Sequence, residues 1–491
     1  MPRPLAALLV VVAVVGVSWV LIMPPWQSPD SFTHYSYTES LATRFALPGR
    51  PRHNEESSSV LGAYRAVGVL ALQWSSPEVK PSWNPAAART YRRASARLSR
   101  SNGAGVTPSQ SNPPLYYAYA TAAYLAAVGG DALDRLSAIQ LAGVLLLLAT
   151  VIGAWLLAGE VFGRRPLLQL TTAAVAGLQP METFMSTSVN PDALLVPLWT
   201  LWLWLGARVI KRGAPRRDVV ALCAVTAAAI LTKETAYAML PALVLVLVLG
   251  WRARLAGGWR DAAKTFGPAI LVLYVPVQLW IIGANAGGRS ALTVPPPTAS
   301  AAASNSPSSF LLHFFDYVWQ FYLPKIPGQA TIHVTTLPSL PWPRLQPGLP
   351  VWNIWVREGW GVFGWVDIYM TNWVYVVLAA VTAAVAVIGV AIIVRTRDRL
   401  RLSLFAFFGL ALLSLLAVVH EVEYQTLRAN QGPFTQGRYA LPLVALFGLG
   451  VALIISRLPA RARGPSCAVL LVGLLALQVL ALGTVARTYY T

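Results

Sequence analysis

Charge is scarce in this sequence. Of 491 residues 12% are Asp, Glu, Lys or Arg and 56% are hydrophobic, with a mean hydropathy of +0.56. That leaves too little polar surface to cover a water-soluble globule of this length, so the chain is built for a bilayer. Cysteine is almost missing: Cys223 and Cys467 lie in apolar runs far apart, which excludes a disulfide framework and a thiolate cluster. The five histidines, His34, His53, His313, His333 and His420, show no HxxxH or HxH spacing, and no DxD occurs. The expectation is therefore no metal site and no cofactor. Walker loops, GxSxG elbows and internal repeats are missing too, as is the inverted half-to-half symmetry of many transporters.

Acids are the scarcer of the two charge signs, 19 against 38 Lys and Arg, for a net charge of +19. Placement explains the excess better than nucleic-acid binding does. Basic clusters recur between apolar runs at 163 to 166, 208 to 218, 251 to 264, 395 to 401 and 457 to 463. With these and Arg3 cytoplasmic, that side holds 19 basic residues but only four acids, Glu160, Asp218, Asp261 and Asp398. This is the positive-inside pattern, and no nucleic-acid partner is expected.

The opening run, residues 5 to 23, is long enough to span, and no small-residue cleavage site follows it. Threading the other apolar runs gives about eleven transmembrane helices: 5 to 23, 136 to 158, 167 to 186, 193 to 209, 218 to 232, 236 to 250, 265 to 284, 373 to 394, 402 to 420, 439 to 456 and 466 to 485. The run from Asp218 to Gly250 is broken at LTKETAY, because a Lys at mid-bilayer costs about 2.5 to 3.5 kcal/mol. An all-α polytopic fold follows, with a cytoplasmic N-terminus. It divides into a first helix (1–23), a first extracytoplasmic loop (24–135), a helical bundle (136–284), a second extracytoplasmic loop (285–372) and C-terminal helices (373–491). Both loops are expected to carry interfacial helices. In the first, NPPLYYAYATAAYLAAVGG suits a helix with Tyr116, Tyr117, Tyr119 and Tyr124 at headgroup level. The second opens on a flexible Pro/Ala/Ser run, 294 to 309, and then turns aromatic.

Seven short motifs follow one another at the outer membrane edge: SPDSFTH (28 to 34), NPPLYY (112 to 117), SVNPDAL (188 to 194), LTKET (231 to 235), WQFYLPKIP (319 to 327), FGWVD (363 to 367) and QGRYALP (436 to 442). In this order, over nearly the whole chain, the sequence resembles GT-C membrane glycosyltransferases. The resemblance is to the DUF2142-like branch related to protein O-mannosyltransferases and aminoarabinose transferases. It implies a GT-C-like fold, an acidic residue at the active site supplied by the first outer loop, and a sugar donor carried on a polyprenyl phosphate. The acceptor would be an extracytoplasmic glycan, lipid or protein, in a plasma-membrane setting with membrane lipids as the other partners.

Such a transfer needs a base for the acceptor hydroxyl and cations for the departing phosphate. Asp30 is the candidate base; its bland alternative is a helix N-cap. Relatives carry an Asp-Glu pair where this chain has Asp30-Ser31, which puts any paired acid in doubt. Lys233 and Arg438, each at the outer end of an apolar run, and Lys325 are candidate phosphate ligands; snorkelling is the alternative. His34, Asp192 and Tyr116 are candidate pocket residues, with turn, cap and interface roles as their alternatives. Where relatives have a lysine before a double proline, this chain has Asn112. The expected activity is inverting, metal-independent transfer. Rival readings are a lipid or sugar transporter or flippase, and a non-catalytic lipid-binding subunit of the same fold.

Overall fold

The computed structural model describes residues 1–48, 56–68, 84–103, 108–287, 307–329, 349–429 and 435–490. His53, His333 and most of the Pro/Ala/Ser run lie outside these residues. The chain is helical, with one two-residue antiparallel pairing, Val362–Phe363 against Ile368–Tyr369, among the described residues.

Nine described helices are long and apolar enough to cross a membrane: Arg3–Ile22, Ala132–Phe162, Asp192–Lys211, Glu234–Leu255, Trp259–Ala286, Asn372–Val394, Arg399–Arg428, Gly437–Arg457 and Ala460–Tyr490. The other two expected spans are helices of a shorter kind. Pro180 divides the 167 to 186 run into Pro166–Leu178 and Pro180–Ser186, since a proline removes a backbone donor and clashes with the preceding turn. Arg216–Ile230 ends just before LTKET, where the chain leaves the α-helix, passes Lys233 in extended conformation and re-enters through the tight turn Glu234–Met239. The break expected from the cost of a mid-membrane lysine is present.

Between the first helix and Ala132–Phe162 the chain folds as the helices Ser31–Arg44, Ser58–Val67, Pro85–Ser95 and Leu115–Ala126. Tyr116, Tyr117 and Tyr124 of the last are buried in the protein, and Tyr119 donates to the Ala142 carbonyl. The tyrosines therefore pack inward against Ser31–Arg44 and Ala132–Phe162, where their rings bury more area than a headgroup layer would cover.

Glu39 ties this region together. Its carboxylate accepts from Ser57 Oγ at 2.5 Å and from Tyr124 OH at 3.2 Å, and Ser57 in turn caps Ser58–Val67 by accepting from Val60 N. Burial pushes the Glu39 carboxyl up to about 7, although the Ser57 and Tyr124 hydrogen bonds pull against it. Because the folded value lies above the ordinary 4.5, the stability from this group is fully present below 4.5 and is lost as pH rises through about 7. Glu39→Gln is expected to flatten the melting temperature between those pH values and to raise it at pH 8, read by thermal unfolding of the detergent-solubilised chain. A mutant with the wild-type pH slope would show that Glu39 does not titrate there.

Candidate functional site

The turn from Pro24 to Asp30 leaves the first helix and is pinned from three sides. Trp365 Nε1, in the FGWVD motif, donates to the Trp26 carbonyl at 3.1 Å. Asn190, in SVNPDAL, reaches the Pro29 carbonyl at 3.5 Å, and Tyr489 OH reaches Gln27 Oε1 at 3.4 Å. Two non-glycine residues of the turn are left-handed, Trp26 at φ 58 and Asp30 at φ 60. Such a residue costs about 1 to 2 kcal/mol, so something must hold Asp30 there.

Asp30 stands at the N-cap position of Ser31–Arg44 yet its side chain makes no capping hydrogen bond. The carboxylate instead accepts from Arg438 Nη2 at 2.7 Å, across 408 residues of sequence. A charge-assisted bond of this kind contributes roughly 1.5 to 3 kcal/mol, enough to offset the backbone strain. The two partners differ in exposure. The Asp30 side chain is 48% exposed, whereas Arg438 is 3% exposed, so the acid forms the outer rim and the guanidinium the floor.

Below that pair the charges continue to alternate. Arg438 Nε lies 3.9 Å from Asp192 Oδ2, and Asp192 Oδ1 accepts from Lys233 Nζ at 2.5 Å. Asp192 N donates to Asn190 Oδ1, so the Asn-Pro-Asp turn aims the acid into the network. Tyr439 lies beside both cations, its ring centroid 4.7 Å from Lys233 Nζ and 5.5 Å from Arg438 Cζ. Two acids and two bases sum to zero, which makes a buried network of this size tolerable. Burial raises the Asp30 carboxyl, but Arg438, through its charge and its hydrogen bond, and Lys233 outweigh it and hold the group below its ordinary range. For Lys233, burial lowers the ammonium and the neighbouring Arg438 adds to that, while Asp192 opposes it; the net direction is down.

His34 lies one turn after Asp30. Its Nδ1 is 2.8 Å from Tyr117 OH, and Asn112 Nδ2 donates to that same hydroxyl at 3.0 Å. With its oxygen accepting from Asn112, Tyr117 has its own proton to give to Nδ1, which leaves the imidazole proton on Nε2. Burial, first, and then the two cations push His34 down to about 3, although Asp30 opposes them, so the ring is neutral. Asn112 thus orients His34 through Tyr117.

Asp30, His34, Asp192, Lys233 and Arg438 are therefore brought together, from four of the seven motifs. Tyr116 is buried beside Asn190, behind the network and not at its rim. Lys325 is exposed in the turn after the helix Pro307–Tyr322, outside the buried cluster.

Two acids that sequence reasoning passed over hold the segment that leads into Arg438 and its 3-10 turn, Gly437–Leu443. Glu358 Oε2 accepts from Gly437 N at 2.9 Å, and Glu423 Oε2 accepts from Thr435 N at 2.6 Å. Gly437 is required for that contact: a Cβ there would fall 2.2 Å from Gly359 N and 2.3 Å from the Ile354 carbonyl. The signal for Glu358 was available, since VREGWG places an acid inside an otherwise aromatic stretch. Burial pushes Glu358 up to about 8, against the pull of the Gly437 N–H and Arg438.

Nine long apolar helices and a charge network gathered at one end of them define a polytopic, all-α membrane protein. The family model described as "Predicted membrane protein (DUF2142)" matches residues 13–447, and the chain belongs to that family. No curated protein matches it. Among solved structures it is similar to ArnT from Cupriavidus metallidurans bound to undecaprenyl phosphate, at 14% identity over 94% of this chain and 61% of that one, with a TM-score of 0.45. It is also similar to the oligosaccharyltransferase of Archaeoglobus fulgidus in the apo form, at 11% identity over 99% of this chain and 56% of that one, with a TM-score of 0.49. The chain thus spans about three-fifths of the length of these solved structures.

Proposed function

We propose that this protein is a membrane glycosyltransferase that moves a sugar from a polyprenyl-phosphate carrier to an extracytoplasmic acceptor. The observation that carries the reading is the Asp30–Arg438 pair: a rim carboxylate open to the outside, set on a buried guanidinium whose Nε and Nη1 have no hydrogen-bond partner among the described residues. Charged donors that lack a hydrogen-bonding acceptor, with Asp192 Oδ2 no nearer than 3.9 Å to Nε, are poised for an anion with several acceptor oxygens, and a phosphate is such an anion.

In the resting protein Arg438 neutralises Asp30. A carrier phosphate that takes the Arg438 donors loosens that pair, and the freed carboxylate becomes the stronger base. Asp30 then accepts the proton of the acceptor hydroxyl while its oxygen attacks the anomeric carbon. The bond from that carbon to the phosphate oxygen breaks, and the carrier phosphate leaves with the electron pair onto Arg438 and Lys233. One displacement inverts the anomeric configuration. His34 and Asp192 fix the geometry of base and cations; Lys325 has no part at the buried cluster in this reading.

The decisive assay is transfer from a radiolabelled polyprenyl phosphate sugar in membranes that contain the protein. No turnover of any lipid-linked sugar would overturn the reading in favour of a transporter or a non-catalytic lipid-binding subunit. The orientation is tested separately. Cysteines placed at Ser95 and Gln329 are expected to react with an impermeant maleimide in intact cells, since both positions belong to the proposed extracytoplasmic face of a plasma-membrane protein. Protection at either position alone would sink that orientation.

A further inference from the structure

A second buried arginine makes no ion pair among the described residues. Arg357 is 5% exposed and lies in the π-helical turn Trp352–Glu358, a geometry found disproportionately at functional sites. Its side-chain hydrogen bonds among the described residues go to amide oxygens, of Asn353 and Asn372, and not to a carboxylate, and the stretch 330 to 348 that precedes the turn contains no Asp or Glu. Neighbouring Glu358 points the other way, to Gly437 N. Arg357 packs over the Tyr369 ring at 4.4 Å, which softens the cost of burial but carries no net charge. Its Nε has no partner, and neither has Nδ2 of Asn353, itself 3% exposed and bonded through Oδ1 to the Arg357 guanidinium.

The guanidinium is placed at a helix start. Arg357 Nη2 lies 3.5 Å from Oδ1 of Asn372, the first residue of Asn372–Val394, and that 23-residue helix has no side-chain cap. A helix N-terminus is itself partly positive. Two positive features side by side without an anion are electrostatically incomplete, and together they form an anion site of the usual helix-start kind. The surroundings say where the anion comes from. No residue of the apolar span window of Asn372–Val394 is buried in the protein, which leaves most of that helix free to meet acyl chains, and Trp373 beside Asn372 is 66% exposed, as befits headgroup level.

We propose that Arg357, Asn353 and the start of Asn372–Val394 bind the phosphodiester headgroup of an anionic membrane lipid. The site lies at the same end of the bundle as Arg438, linked to it through Glu358 and Gly437, but it is distinct from the transfer site and does not depend on that reading. A headgroup seated here supplies a negative charge beside Arg357 and packs its acyl chains along the exposed face of that helix.

The test uses the full chain purified in detergent and probed by native mass spectrometry with phosphatidylglycerol, with diacylglycerol of the same chains as the phosphate-free control. Wild type is expected to retain one phosphatidylglycerol at least tenfold more tightly than diacylglycerol. Arg357→Gln should remove that preference. Asn353→Asp, which keeps Arg357 and gives it an internal carboxylate, should remove it too while leaving the protein folded, so loss of binding is separable from loss of fold. An unchanged preference in both variants would overturn the site. If millimolar inorganic phosphate displaces the lipid from wild type, the site takes free phosphate and the lipid assignment falls; if polyprenyl phosphate binding falls in Asn353→Asp and phosphatidylglycerol binding does not, the residues belong to the carrier site instead.

Discussion

Asp30→Asn is expected to lower sugar transfer by about 10² or more while the protein still folds and still binds its carrier lipid. The substitution keeps the size of the side chain and one oxygen for Arg438 Nη2, but removes the charge and the capacity to accept a proton. Folding persists because Arg438 retains Asp192 at 3.9 Å, so its buried charge is not left alone. Asparagine also tolerates the left-handed conformation that Asp30 adopts at φ 60. A purely structural role as N-cap predicts wild-type activity instead, since Asn caps a helix about as well as Asp. The absence of a capping hydrogen bond from Asp30 argues against that role, and full activity in the variant would rule out catalysis by this residue. Carrier binding measured beside turnover separates a lost base from a lost phosphate site.

The helical framework was legible because lipid imposes a simple rule on sequence. Apolar runs of sufficient length had to be helices, and the lysine at LTKETAY had to interrupt one. Proline decided the rest: Pro180 splits a run that hydropathy alone reads as continuous. The site was legible only in part. Asp30, Asp192, Lys233 and Arg438 could be singled out, since an ionisable group at the edge of an apolar run needs a reason to be there. Their pairing across 408 residues of separation could not, because no periodicity links distant loops. Tyr116 was read toward the headgroups, yet its ring is buried; aromatic amphipathicity fits an interface and a core equally well. Lys325 was read as a third cation from its place among prolines and aromatics, and nothing in that local pattern reports that it ends up exposed. Glu423 escaped because its work is to hold a backbone N–H group, a role with no residue spacing to betray it; Glu358 does the same work, and only its place as an acid in an aromatic stretch marked it out.

Arg438→Gln should abolish detectable transfer and also lower the melting temperature, because Asp30 and Asp192 lose the guanidinium that stands between them. Breaking a buried pair on one side costs about 3 to 5 kcal/mol. Loss of activity in that variant alone would therefore not distinguish a phosphate ligand from a structural pin. Arg438→Lys makes the distinction. Lysine preserves the positive charge between the two acids, so folding should be largely retained, but it gives up the planar fork that leaves Nε and Nη1 open beside the bond to Asp30. If those donors hold the carrier phosphate, KM for the lipid-linked sugar should rise about tenfold or more, with a smaller change in kcat, since a bidentate charge-assisted contact is worth more than about 1.4 kcal/mol. A structural pin predicts the reverse, a lower melting temperature with KM unchanged. Combining Arg438→Lys with Asp30→Asn completes the argument. Base and phosphate ligand act on opposite sides of the bond that breaks, so the double variant should show the raised KM of one and the lowered kcat of the other. A double variant with the KM of wild type would remove Arg438 from the donor site.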